Sequence, residues 1–295
     1  MVYLDNHLIT LNSSDAIKLN SSYLSNVVFP FKGLLKDDVN IIRSYVTLIN
    51  AQIAVSFYVI DATNNTLGYY DSASNSFKTI VLPIGNYNAS TIITAINAGV
   101  IANGSIGTFS FSALNGKISV VSSNVWYGNY LPQYGTTIGD VLGLGTGGPN
   151  SFTFSYPLNL LGKNKIFINS SNLNNVAYTS HNTGFSTCIC TIPVNVPPYG
   201  LIQYSSLTDQ NKNILVNRTL DNIDIQVLDL DNNFVNFNNV NWSITLCLSI
   251  EKIDANKFHI QSFNNYLAND QPIQPQEIEL NPPEKDKELE FLMGV

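Results

Sequence analysis

The sequence predicts an all-β protein, a sandwich or barrel whose chain is interrupted by a small α+β unit. Three observations lead there. Near the C-terminal end, Trp242, Ile244, Leu246, Leu248 and Ile250 alternate with Ser243, Thr245, Cys247 and Ser249. Such a strict period of two describes a strand with one buried face. Charged residues are only 12% of the chain against 44% apolar, and 40 of the 295 residues are Asn. Ordinary domains carry roughly 25% charge, and Asn favours turns because its side chain bonds nearby backbone. The one good helix pattern sits near the middle of the chain, with strand patterns on both sides.

Taken in order, residues 17–36 hold short apolar pieces, among them NVVFPFKGLL, where Pro30 points to an edge strand or a bulge. NIIRSYVTLINAQIAVSFYVID (40–61) is rich in β-branched and aromatic residues and reads as one long strand, or two joined by a bend. TNNTLG (63–68) is a turn cluster, and a short strand is expected at 79–82. NASTIITAINAG (88–99) is the helix. Asn88 or Ser90 serves as N-cap, Ile92, Ile93 and Ile96 form an apolar stripe, and Gly99 is placed to close it. Strands at 109–111 and 118–121 flank Asn115-Gly116, a strong hairpin signal. A turn of helix at 137–142 ends at Gly143.

Strands are expected again at 151–156, 165–169, 186–194, 201–205 and 214–217, and over Ile223, Ile225 and Val227, which alternate with Asp224 and Gln226. DNNFVNFNN (231–239) is a turn and link. The resulting division is 1–65 with 155–265 as one discontinuous β domain, 66–154 as an inserted β-β-α-β-β unit, and 266–295 as an acidic tail. The tail has four Pro and a net charge of −5 out of −7 for the whole chain. It ends on an apolar cluster, Phe291, Leu292 and Met293, a candidate partner-docking segment.

The order of three segments resembles the penton, or minor capsid, proteins of virophages of the Mavirus type and polinton-like viruses. These are NIIRSYVTLINAQIAVSFYVIDATNNTLGYYD, TIVLPIGNYNASTIITAIN and IDIQVLDLDNNFVNFNNVNWSITLCLSI. The resemblance implies a jelly-roll β-sandwich interrupted by an α+β insertion domain. It also implies a homopentamer at each five-fold vertex of an icosahedral capsid, in contact with a double jelly-roll major capsid protein. The insertion would face outward, within reach of a host receptor or glycan, and the protein would reside in the virion after assembly in the host cell. Such viruses carry a maturation protease that favours an apolar residue, any residue, then Gly. Leu292-Met293-Gly294 is similar to the left half of such a site, and a native chain end is the plainer alternative.

Residues that carry chemistry are sparse. Cys188 and Cys190 lie two apart, and with Cys247 and His181 they give no metal-ligand spacing; small buried apolar thiols are the expectation. Asp229, Asp231 and Asn233 resemble the opening of a calcium loop, but Phe234 stands where Gly is needed and Val240 where Glu is needed, so a turn is expected. GLGTGGPN (143–150) lacks the Lys-Ser/Thr of a phosphate loop and reads as a flexible link. His7, His181 and His259 are the only histidines, and no Gly-x-Ser-x-Gly elbow occurs. The expectation is therefore no enzyme, no catalytic residue, no cofactor and no metal.

Arg occurs only at Arg43 and Arg218, too few phosphate-neutralising side chains for direct nucleic-acid binding. No run of about 18 apolar residues offers a membrane span. The N-terminus lacks a basic, then apolar, leader pattern. WYGNYLPQY places Trp126, Tyr127, Tyr130 and Tyr134 together, a candidate binding surface because aromatics give large contact area at low entropy cost. The rival reading is a viral fibre-type protein that binds a receptor or carbohydrate. A hydrolase on a β scaffold, built from converging turn acids such as Asp61, Asp71 and Asp140, is third.

Overall fold

β-branched and aromatic runs cut by Asn and Gly make short strands with tight connections, and that is what forms. The computed structural model describes residues 2–19, 23–122, 126–127, 135–145, 151–173, 177–178, 185–206, 212–215 and 217–254. Tyr3–Lys252 make one compact unit; residues 1–2 and 253–295 fall outside it. In chain order the strands are Val2–Asn12 (β1), Ile17–Lys18 (β2), Asn26–Leu35 (β3), Ile41–Ala54 (β4), Thr66–Asp71 (β5) and Ser76–Val81 (β6). Helix α1 (Ala89–Ala102) follows, then Thr108–Ser112 (β7), Lys117–Val121 (β8), Trp126–Tyr127 (β9), helix α2 (Gly139–Leu142) and Ser151–Thr153 (β10). The chain continues through Lys165–Asn169 (β11), Ala177–Tyr178 (β12), Phe185–Ser186 (β13) and Cys188–Pro193 (β14). Leu201–Ser205 (β15), Asn213–Leu215 (β16), Leu220–Leu228 (β17) and Trp242–Ile253 (β18) complete it.

Two antiparallel sheets form the larger body. One has the order β1-β18-β4-β15, with β16 also on β4; the other has the order β14-β11-β17-β3-β2. The chain passes from one sheet to the other at β2/β3, β4, β11, β15, β17 and β18, and the first strand lies beside the last. This wrapped, doubly Greek-key order is a jelly roll. Both sheets turn apolar faces inward: Val46, Leu48, Ala51 and Ile53 of β4 and the alternating residues of β18 join Ile223, Ile225 and Val227 of β17 and Ile166 and Ile168 of β11 in one cluster. Each such side chain contributes roughly 1.5–3 kcal/mol by leaving water.

The 40–61 run is a single strand only to Ala54. Pairing with β18 skips Ile49 and Ile42, so bulges bend it twice; Val55 still exchanges backbone hydrogen bonds with Gly200 and Tyr199 beside β15, just past the strand's end. In β3 the expected irregularity is present. Asn222 pairs Pro30 while Leu220 pairs Leu35, so the stretch between them loops out at Gly33, whose φ is +64°. Phe234 to Phe237 is more than a link, because Val235 and Phe237 are fully buried.

Between β4 and β11 the chain builds a second apolar cluster from Ile60 to Phe154, with two small sheets, β6-β5-β9 and β10-β8-β7, around α1. Residues 151–153 pair with β8 there and do not return to the sandwich. The β7–β8 hairpin forms, but its loop is the four residues 113–116 and not Asn115-Gly116 alone; only Gly116, at φ +70°, is left-handed, and its N–H donates to Ser112 O. Helix α1 begins at a reciprocal capping box, with Asn88 Oδ1 accepting from Thr91 N and Thr91 Oγ1 accepting from Asn88 N, both at 2.9 Å. Ile92, Ile96 and Val100 form its buried stripe.

Gly99 does not end the helix, which runs on to Ala102; Asn103 is the C-cap and Gly104, at φ +64°, makes the left-handed turn. Gly99 is there for space instead. A Cβ at that position would stand 2.4 Å from Ile80 Cγ2 and within 3.3 Å of Ile80 Cγ1 and Cβ. Gly99→Ala would gain up to about 1 kcal/mol of helix propensity, but it over-packs a stiff β-branched side chain at a cost of about 1–3 kcal/mol. A net loss in urea-unfolding stability is expected, and an Ile80→Val partner change should recover part of it.

Candidate assembly and recognition surfaces

Buried polar groups come first, because a site for chemistry needs them poised. Asp71 ends β5, with its side chain 2% exposed. Its Oδ2 takes Lys78 Nζ at 2.7 Å, Ser105 Oγ at 3.0 Å and Ser74 Oγ at 3.1 Å, and its Oδ1 takes Ala73 N at 3.1 Å. Burial alone would raise the Asp71 pKa; the Lys78 ammonium, the two hydroxyls and the backbone N–H outweigh it and hold the carboxyl at about 2. Lys78 also donates to Asn103 O at 2.8 Å and Ser105 Oγ at 3.1 Å, tying the β5–β6 hairpin to the C-cap of α1. A Ser–Lys nucleophile pair this is not. Ser105 donates its hydrogen bond to the Asp71 carboxylate, and Lys78 donates to Asp71, Asn103 O and Ser105 itself, so the lysine presents no lone pair to the hydroxyl.

Asp224, on the less apolar face of its strand, is nevertheless buried. It lies buried in β17, with Ser170 Oγ at 2.7 Å and Asn172 N at 3.0 Å on one oxygen, and Ser171 N at 2.9 Å and Ser171 Oγ at 2.7 Å on the other. Burial pushes its pKa up and these four donors outweigh that, so it stays below the usual carboxylate value. Every lone-pair direction is used on the turn at 170–173, which makes it a loop anchor.

Asp229 opens a turn: its Oδ1 accepts from Asp231 N at 3.0 Å and Asn233 N at 2.9 Å, while Oδ2 holds Lys163 Nζ at 2.6 Å. Lys163 also approaches Asp61 at 3.9 Å. The carboxylate that would open a calcium loop is thus spent on its own turn and an ammonium. Among the described residues no group of three or more His, Cys, Asp or Glu is placed to hold a metal ion.

Two positions apart in a regular strand, Cys188 and Cys190 would share one face. The register instead skips Ile189, pairing Asn169 with Cys188 and Ile168 with Cys190, so a bulge separates them. None of the three cysteines is disulfide-bonded. Burial raises both thiols, which disfavours the reactive thiolate. Gly143, at φ +72°, ends α2, and a Cβ there would stand 2.1 Å from Tyr156 O; residues 146–150 of the Gly-rich stretch lie outside the described residues, as do His181, His259, Tyr130, Tyr134, Phe291, Leu292, Met293 and the whole 266–295 tail.

Two surfaces stand out. The first is β1, the terminal strand of its sheet. Ile9 and Leu11 are buried, but toward Val2 the strand runs past the core and both faces open: Leu4 is 47% exposed, Leu8 72% and Tyr3 49%. Its acid, Asp5, is tied to Lys252 at 3.1 Å. The second is the outer face of β6-β5-β9. Phe77, Thr79 and Val81 of β6 point outward, Phe77 61% exposed, and Tyr70 of β5 meets Phe77 edge-on at 5.2 Å. Tyr70 pairs across the sheet with Tyr127, and Asp71 with Trp126, so two of the four aromatics singled out from sequence are strand partners of that hairpin. Tyr70 of β5 and Phe77 of β6 carried no sequence signal beyond apolar residues on both faces of two short strands.

No family model matches the chain, and no curated protein does. Solved structures do. The mavirus penton protein, in a crystal of its selenomethionine form, aligns over 84% of this chain and 100% of its own, at 12% identity and a TM-score of 0.47. The chain resembles virophage penton and capsid proteins. The second such structure, the Sputnik virophage solved by cryo-electron microscopy, contributes a chain aligned over 85% of this one and 98% of its own, at 13% identity and a TM-score of 0.41. No described helix is long and apolar enough to cross a membrane.

Proposed function

We propose that this chain is a structural virion protein, a minor capsid (penton) protein that forms pentamers at the five-fold vertices of an icosahedral capsid and contacts the major capsid protein there. On this reading 1–65 and 155–265 make the shell-forming jelly roll, 66–154 is an outward guest module, 266–295 is a tail, and the protein resides in the virion after assembly in the host cell. The observation that carries the proposal is β1, the terminal strand of a jelly-roll sheet among the described residues. A long apolar edge strand with unpaired backbone is a template for another chain, and monomeric proteins blunt it with charge or Pro. Here no Pro interrupts β1, and its one acid, Asp5, is drawn to Lys252 at 3.1 Å. A five-fold ring needs such a one-sided patch, because cyclic closure joins two different surfaces of neighbouring copies. The buried polar groups add support, since Asp71, Asp224 and Asp229 are all engaged in holding turns and hairpins together.

Negative-stain imaging of the purified chain tests this. Five-fold rings are expected; monomers at all concentrations, or trimers as in the fibre-type rival, would overturn it. Leu4→Lys with Leu8→Lys is expected to abolish the rings while leaving the far-UV circular dichroism and the unfolding midpoint unchanged, because both side chains face solvent in the monomer.

A further inference from the structure

We propose that Tyr199, at the tip of the turn leading into β15, is an assembly contact that seats its side chain on a neighbouring copy of this chain. The inference rests on the capsid reading above and names the second of the two patches that a closed pentamer requires.

The first observation is backbone strain at an exposed side chain. Tyr199 has φ +68° and is 76% exposed. A left-handed backbone crowds the Cβ of any residue but glycine, and Asn and Asp tolerate it best. Among the described residues five that are not glycine have a positive φ, and the other four are Asn75, Asn232, Asn238 and Asn239. In a chain with 40 Asn, this one position holds a bulky aromatic group in the conformation that suits Asn. Strain of this kind persists where the surroundings impose it, and it gathers at binding sites.

The second observation is rigidity. Pro197, Pro198, Tyr199 and Gly200 form a β-turn closed by Gly200 N, which donates to Pro197 O at 2.9 Å. Pro198 fixes φ at the second position, and Tyr199 occupies the third, where a type II turn asks for Gly or Asn. Tyr199 N donates to Val55 O at 2.8 Å and Val55 N to Gly200 O at 2.9 Å, so the tip is pinned to the residue after β4. A Cβ at Gly200 would stand 2.9 Å from Pro197 O, so the turn has no slack. An aromatic group on a fixed stem loses little freedom when it is covered, and Tyr is enriched among the residues that dominate interfaces.

Place and composition point to a copy of the same chain. Cyclic assembly joins two different surfaces of each subunit, one toward each neighbour. β1 ends its sheet on one side; β15, which begins at Leu201 directly after the turn, lies at the other end of the same order, β1-β18-β4-β15. A subunit that meets one neighbour through β1 thus carries the Tyr199 turn on its other flank. Around the tip, Leu201 is 47% exposed and Pro193, Pro197 and Pro198 are exposed as well. No Asp, Glu, Lys or Arg occurs from Ile166 to Thr208, and Lys165, across from Pro193, borders that segment. Tyr in a stretch depleted of charge is the composition of an interface core.

Mass photometry of the full chain over a dilution series gives the concentration at which half of the pentamers dissociate. Thermal unfolding, followed below that concentration, gives the stability of the monomer. Tyr199→Asn is expected to raise the dissociation concentration about tenfold or more, the loss of an interface anchor. Its unfolding midpoint should equal or exceed the parent's, because the change relieves strain and removes little buried surface. Tyr199→Phe, which keeps the aromatic group, should assemble as the parent does. Pentamers of Tyr199→Asn that dissociate within about twofold of the parent's concentration overturn the proposal, as a different protein covering this tip would give. So does a Tyr199→Asn midpoint below the parent's, which would make the residue structural, or a Tyr199→Phe variant that assembles no better than Tyr199→Asn. Pentamers that survive Tyr199→Asn leave the capsid reading standing, whereas a parent chain that forms none overturns both.

Discussion

Asp71→Ala is expected to cost about 3–5 kcal/mol of unfolding free energy, the range for removing one partner of a buried ion pair. The change leaves the Lys78 ammonium, 19% exposed, facing Ser105 Oγ and Asn103 O without its counter-charge, and it takes the acceptor from Ser74, Ser105 and the Ala73 N–H. The hairpin and the helix C-cap lose their shared fastening together. Urea unfolding followed by circular dichroism measures it. Replacing both charges, Asp71→Leu with Lys78→Met, is expected to cost clearly less than Asp71→Ala, because apolar pairs of similar volume commonly match a buried ion pair. A double variant as unstable as the single one would show that the surrounding hydroxyls, and not the unpaired charge, set the loss.

The same carboxyl gives a pH window. Its pKa falls from 3.8 to about 2 on folding, so the folded state binds the proton less tightly than the unfolded chain. The stability it contributes is complete above pH 3.8 and is lost as the pH falls from there through about 2. Asp71→Asn should flatten the acid limb of the stability curve in that window and leave the slope above pH 5 as it was.

Trp242→Ala is the second large effect, about 3–5 kcal/mol. Trp242 opens β18 and is 2% exposed, the largest fully buried side chain of the sandwich. Its indole N–H donates to Leu24 O at 2.8 Å, its backbone N–H donates to Ser13 Oγ at 2.9 Å, and its ring meets Phe29 edge-on at 6.3 Å. One residue therefore joins the last strand to the turn after β1 and to β3 in the opposite sheet. Trp242→Phe keeps most of the volume but leaves the Leu24 carbonyl without its donor, so a smaller loss, about 1–3 kcal/mol, is expected. Denaturant titration of both variants reads the difference; equal losses would mean that volume contributes nothing beyond the hydrogen bond.

Legibility followed the range of the interaction. The period of two in β18, the Asn88 cap and the presence of a turn between β7 and β8 are set by neighbours within a few residues, and each forms where the sequence puts it. Gly99 was misread because a glycine near a helix end has two uses, and only Ile80, on another element, decides between them. Asp224 alternates with Ile223 and Ile225 as an outward residue should; it is buried because Ser170, Ser171 and Asn172 fold over it from more than fifty positions away.

The candidate surfaces divide in the same way. Trp126 and Tyr127 could be picked out as aromatic density, but their meeting with Tyr70 depends on strand pairing across more than fifty residues. The exposure of Leu4 and Leu8 depends on where the core ends, which no local pattern states. The amino-acid sequence alone determined the class of the protein: all-β, poor in charge, turn-rich, with one helix set between its strands, because period and turn chemistry act over a handful of residues. Which polar groups are buried, which apolar ones face water and which strands form open edges were decided only by the tertiary structure, because burial is a property of the partners a residue meets and those partners come from distant parts of the chain.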